Sequence, residues 1–154
     1  MNNFFLKHKN GILLLMIICT ACNKADKVKF INTSLPEEYD IYYSKDSIKV
    51  IFNNLNTLQT DTAIYVKSEN NFFEENNGNK KLFFSVNKDT VYSENDGSFF
   101  YKTEIKKNND SSFKTSTILI NDLGKESVLS TFYYNKHYKI LRIEKPDAVV
   151  FIPE

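Results

Sequence analysis

The sequence predicts an all-β domain, an antiparallel meander that forms a small sandwich or an open or closed barrel. Three observations carry this expectation. The 154 residues include 13 Phe and 9 Tyr, and aromatic and β-branched residues suit a pleated, half-buried surface. Apolar residues recur at every second position in short runs, separated by polar turns about 8–12 residues apart, the spacing of sandwiches and barrels. No alternation of strand and helix is visible, which argues against a parallel sheet, and sequential hairpins favour a meander.

The first element precedes the domain. Lys7, His8 and Lys9 stand before an apolar run over residues 12–19, followed by Thr20, Ala21 and Cys22. A basic start, a short apolar centre and small residues before a cut site are the features of a secretory signal helix. The run is well short of the roughly 20 apolar residues that span a bilayer. Polar Asn23, Lys24, Asp26 and Lys27 end it. Residues 22–34 are read as a polar tether, and residues 35–154 as a single β domain.

Cys19-Thr20-Ala21-Cys22 resembles the lipobox of bacterial lipoproteins, with Cys19 standing where the pattern prefers Leu. The resemblance covers residues 1–22 only. It implies cleavage after Ala21, with Thr20 and Ala21 as the cleavage flank, and attachment of diacylglycerol to the Cys22 thiol. It also implies a location in the cell envelope, anchored to a bacterial membrane (the outer membrane in a Gram-negative cell), with the domain exported from the cytoplasm. Two or more acyl chains hold a protein on a membrane where one chain binds reversibly.

Within the domain, Ser34-Leu35-Pro36-Glu37 fits a capping box that opens one helical turn. Tyr39, Ile41 and Tyr43 alternate with polar or tyrosine positions, and Ile48, Val50 and Phe52 do the same across a Ser-Lys-Asp-Ser turn, which predicts a hairpin. Residues 48–58 also fit one helical face, but Asn53, Asn54, Asn56 and Thr57 are weak helix formers, so strand is the favoured reading at 48–52. Further strands are expected at 63–67, 72–73, 82–86 and 90–93, with residues 87–89 joining the last two as a hairpin. Asp96-Gly97 suits a tight turn. Strands follow at 99–106, 113–119, 128–134, 138–144 and 148–152. Gly is scarce, at 4, so Asn and Asp supply most turns, which they can because they tolerate positive φ and bond their own backbone.

Composition excludes several chemistries. The 20 basic and 19 acidic residues nearly balance, and Lys7 and Lys9 leave with the signal, so no strong field favours nucleic acid. Cys22 is the one cysteine left after cleavage, and acylation uses its thiol, so no disulfide is expected within the mature chain. His137 is the one mature histidine and falls in a turn. A zinc site draws on several Cys and His ligands, and no Gly-x-Ser-x-Gly elbow or Gly-rich phosphate loop is present. Neither metal nor cofactor is expected. Glu37-Glu38 and Glu74-Glu75 are adjacent carboxylates rather than a pair held across a cleft; capping is the better account of Glu37.

Five aromatic pairs remain: Tyr42-Tyr43, Phe72-Phe73, Phe83-Phe84, Phe99-Phe100 and Tyr133-Tyr134. Adjacent strand residues point to opposite faces, so one ring of each pair is expected to face away from the core. The expected function is non-enzymatic: a membrane-tethered envelope lipoprotein whose β domain binds or scaffolds an envelope protein, glycan or lipid. The alternative is a carrier or sensor of a hydrophobic ligand in a curved sheet, by architectural analogy to periplasmic lipoprotein carriers and lipocalins. The third reading is a hydrolase with a carboxylate site. An enclosed apolar cavity, a filled core or two converging carboxylates distinguish the three.

Overall fold

The computed structural model describes residues 25–76, 79–95 and 99–154. The signal sequence with Thr20, Ala21 and Cys22, and the Asp96-Gly97 turn, lie outside the described residues. The described chain forms twelve strands: β1 (Asp26–Ile31), β2 (Glu37–Tyr43), β3 (Ser47–Asn54), β4 (Gln59–Ser68), β5 (Asn71–Asn76), β6 (Asn79–Phe84), β7 (Thr90–Asn95), β8 (Phe100–Lys107), β9 (Ser112–Ile120), β10 (Glu126–Asn135), β11 (Ile140–Lys145) and β12 (Val149–Pro153). All ladders are antiparallel. The order across the single sheet is β6-β5-β4-β3-β2-β1-β12-β11-β10-β9-β8-β7. Each strand therefore lies beside its neighbours in sequence, with two exceptions: β1 joins β12, and β6 and β7 form the two edges. The expected all-β antiparallel meander is present and the sheet is not closed by a ladder.

The two halves curl so that their apolar faces share one core. Phe30, Ile41 and Phe84 from the first half and Tyr134, Ile143 and Phe151 from the second are all fully buried. Full burial of such a side chain stabilises by about 1.5–3 kcal/mol. Rings bridge the halves directly: Phe84 meets Tyr134 edge-on at 5.0 Å, and Phe83 meets Phe132 at 5.8 Å.

Three expectations are corrected. The tether expected over residues 22–34 contains β1, which lies at the centre of the sheet. Its alternation was hidden by charge: Phe30 is buried inward, while Lys27 and Lys29 on the other face pair with Asp40 at 2.9 Å and Glu38 at 2.8 Å. The helical turn expected from Ser34 to Glu37 does not form. The Asn32 side chain accepts the N–H groups of Ser34 and Leu35 instead, an Asx turn. Glu37 opens β2 rather than capping, and its carboxylate takes Lys145 at 2.8 Å and Asn54 at 3.3 Å. The 82–86 and 90–93 segments do not pair around 87–89. The chain leaves the sheet at Ser85, whose hydroxyl accepts from the N–H groups of Asn87 and Lys88, and crosses from one edge to the other. The strand favoured at residues 48–52 is present and extends as β3 from Ser47 to Asn54, after which residues 55–58 turn, with Leu58 at φ 57°.

Two of the five aromatic pairs divide between the faces, Tyr42 and Tyr43 are both half-buried, Phe99 and Phe100 are both exposed, and Phe83 and Phe84 form an informative exception. Phe72 is buried and Phe73 half-buried, and Tyr134 is buried beside half-buried Tyr133. Phe83 and Phe84 are both buried. The β5–β6 register runs Phe72↔Phe84 and then Phe73↔Leu82, so Phe83 is the extra residue of a bulge. A bulge breaks the period of two and lets consecutive side chains enter one core.

Candidate functional site

An open cleft of about 380 Å³ lies between the halves, where β2, β3 and β4 face β10 and the end of β11. Its floor is aromatic. The Tyr39 ring lies 5.1 Å from Phe52, 5.0 Å from Phe151 and 6.4 Å from Phe132. Tyr65 stacks on Phe83 at 4.5 Å and meets Phe84 at 5.0 Å. Ala63 is the small residue among these rings and leaves a recess beside Val50 and Tyr65. The walls are Asp61 to Ala63 on β4 and Leu129 and Ser130 on β10. Leu129 is the extra residue of a second bulge, between the pairs Val128↔Ile118 and Ser130↔Thr117.

Two charges border the cleft. Lys145 Nζ donates to Glu37 Oε2 at 2.8 Å and sits 4.1 Å from the Phe52 ring centroid, so its charge is both paired and held over a π face. Asp61 accepts from the Gln59 side chain at 3.2 Å. Burial pushes the phenols of Tyr39 and Tyr65 well above the usual tyrosine range, and negative neighbours add to it: Glu37 for Tyr39, Glu74 foremost for Tyr65. Both are neutral at physiological pH. The cleft therefore offers apolar contact, one carboxylate and a paired lysine.

The carboxylates singled out in sequence separate. Glu38 pairs with Lys29 on the outer face, Glu37 with Lys145, and Glu75 is exposed. Glu74 is half-buried, and burial raises its pKa, opposed by Lys81 and reinforced by Glu94. Lys81 is ion-paired with Glu94, and the Tyr92 hydroxyl donates to the Leu82 carbonyl at 2.8 Å. These side chains link the β6 and β7 edges across the break in the sheet. His137 is exposed in the β10–β11 turn, where its N–H bonds the Asn135 side chain. Among the described residues, no three His, Cys, Asp or Glu side chains gather in a group able to hold a metal ion.

Sequence reasoning did not single out Asp61, Ala63 or Lys145. They come together only when β4 and β11, far apart in the chain, are brought to one opening, and no local motif marks that. Comparison with protein-family models, curated proteins and solved structures gives no match.

Proposed function

We propose that the chain is a lipid-anchored protein of a bacterial cell envelope whose β domain acts as a non-enzymatic binding module. The observation that carries the anchoring is the sequence Thr20-Ala21-Cys22 directly behind a short apolar run with a basic start. Acylation of Cys22 holds the domain at a membrane surface after the signal is removed. The binding role is supported by the open cleft, which combines an apolar aromatic floor with a few polar groups at its rim, the usual make-up of a recognition site. The reading as a carrier of an enclosed hydrophobic ligand has less support, because Phe84, Phe132 and Tyr134 occupy the space between the halves.

The test is membrane fractionation of the full chain in a bacterial host. Wild type is expected in the membrane pellet after carbonate washing, with metabolic labelling by a radiolabelled fatty acid. Cys22→Ala is expected to lose the label and move to the soluble fraction. A Cys22→Ala chain that stays in the washed pellet overturns the anchor.

A further inference from the structure

The β4 strand is ten residues long, but only its second half has two neighbours. Its ladder with β3 runs from Asn54↔Gln59 to Ser47↔Val66, whereas its ladder with β5 begins at Tyr65↔Glu74. In that register Asn76, the last residue of β5, falls opposite Ala63. The β4–β5 ladder thus stops short of Gln59 to Thr62, and β6 is tied to β7 by the Lys81–Glu94 ion pair and the Tyr92 hydroxyl. Among the described residues, 59–64 form a ladder with β3 alone.

The polarity of this edge follows from one hydrogen bond. Lys67 N donates to Asp46 O on the β3 side. Strand alternation then directs the N–H groups of residues 61, 63 and 65 to β3, and those of Thr60, Thr62 and Ile64 to the free side. The inward side chains are Asp61 and Ala63, which line the cleft; Thr62 and Ala63 also line a second concavity of about 310 Å³ with Glu74 and Glu75. Edge strands in native proteins are blunted by Pro, Lys, a bulge or an inward-pointing charge; this segment, Gln-Thr-Asp-Thr-Ala-Ile, carries neither Pro nor Lys, its β3 register is unbroken, and its one charge, Asp61, faces the cleft, where a basic side chain of an added strand would pair with it.

We propose that the β4 edge at residues 59–64 docks an extended polypeptide segment by strand addition, with the segment's inward side chains entering the aromatic cleft. This rests on the reading of the domain as a binding module. The occupant is set by chemistry: a row of alternating backbone donors and acceptors is satisfied by another backbone, not by a glycan or an acyl chain. Its side-chain character follows from the walls. The recess at Ala63, floored by Phe52, Tyr65 and Phe132, takes an apolar side chain, and Asp61, Glu74 and Glu75 around the opening favour a lysine or arginine beside it.

The experiment uses the full-length acylated protein in nanodiscs and a fluorescent, end-blocked peptide of alternating valine and threonine with one central lysine. Fluorescence anisotropy is expected to show saturable binding. The same peptide N-methylated at alternate backbone amides is expected not to bind. Thr62→Pro removes a free-side N–H and leaves the β3 ladder intact; it is expected to weaken binding about tenfold or more, while Leu123→Ala, in the exposed β9–β10 turn away from the cleft, binds as wild type. Absence of saturable binding, equal binding of the N-methylated peptide, or equal binding by Thr62→Pro overturns the proposal. So does a Thr62-dependent dimer in sedimentation, or saturation of the cleft by oleate that excludes the peptide, which assign the edge to a second copy or to lipid. Anisotropy reads the edge whether or not Cys22 is acylated, so its failure is distinct from failure of the membrane anchor.

Discussion

The hydroxyl of Tyr134 closes the open side of the sheet by bonding both backbone groups of Ser85. It donates to the Ser85 carbonyl at 2.8 Å and accepts from the Ser85 N–H at 3.1 Å. Thr115 adds a bond from its hydroxyl to the Phe83 carbonyl at 2.5 Å. An edge strand buried against another sheet must satisfy its free backbone groups. Here side-chain hydroxyls of β9 and β10 take the place of a β6–β7 ladder, and all of these groups are buried. The core thereby closes without a continuous barrel.

Tyr134→Phe is expected to destabilise the domain by about 1–3 kcal/mol, the cost of leaving buried donors and acceptors unpaired. The ring packing against Phe84 and Phe113 is retained, which isolates the hydroxyl. Urea denaturation followed by circular dichroism is expected to show a lower midpoint with an unchanged slope. An unchanged midpoint shows that the hydroxyl does not hold the edge.

Phe84→Ala and Leu123→Ala separate the core from the surface. Phe84 is fully buried at the bulge, and Leu123, in the β9–β10 turn, is 92% exposed. The first is expected to cost about 3–5 kcal/mol through lost transfer and a cavity. The second is expected to stay within about 0.5 kcal/mol. Equal losses in the two unfolding curves contradict the burial assigned to the Phe83–Phe84 bulge.

The same bulge shows what was legible in the sequence. In the second half the period of two stood clear from Phe99 onward, and the turns carried recognisable chemistry: the Asn135 side chain accepts from His137 and Lys139, and Gly124 takes φ 73° in the turn closed by Asn121. Local signals of that kind set the hairpins β8–β9, β9–β10 and β10–β11. They could not place β1, whose two inward residues sit among lysines and whose partner β12 lies at the other end of the chain. Nor could they show that Ser85 leads out of the sheet, because the Tyr134 hydroxyl that holds it is 49 residues away. The cleft was illegible for the same reason: Tyr39, Asp61, Phe132 and Lys145 meet only through the curl of the sheet.

Buried tyrosines make the domain sensitive to alkali. Burial raises the Tyr43 phenol from 10.0 to about 12, the bond from Ile140 N–H opposing the shift and Asp26 adding to it; burial likewise raises Tyr39 and Tyr65 well above the ordinary tyrosine value. A raised folded value means the folded state holds the proton more tightly. The resulting stability is complete below the unfolded value of 10.0 and is lost as pH rises from there through about 12. Phenolate absorbance and circular dichroism are expected to change together in that window, as these rings ionise on unfolding. Full ionisation of all tyrosines before any loss of β signal contradicts their burial.

Glu74 gives the opposite kind of test, a group whose charged form the fold disfavours. Burial raises its pKa above the ordinary 4.5, with Lys81 opposing and Glu94 adding to the shift. The folded state therefore binds its proton more tightly than the unfolded chain, and stability falls as pH rises from the unfolded value through the raised folded one. Glu74→Gln removes the charge and keeps the shape. It is expected to raise the urea midpoint near neutral pH, with the gain shrinking on acidification and vanishing once wild-type Glu74 is protonated in both states. Since Glu74 is partly open to solvent, the gain is modest, and its pH dependence is the decisive reading. A Glu74→Gln chain that is less stable than wild type at neutral pH shows instead that attraction to Lys81 outweighs burial, and that the cluster bridging β6 and β7 depends on the charge.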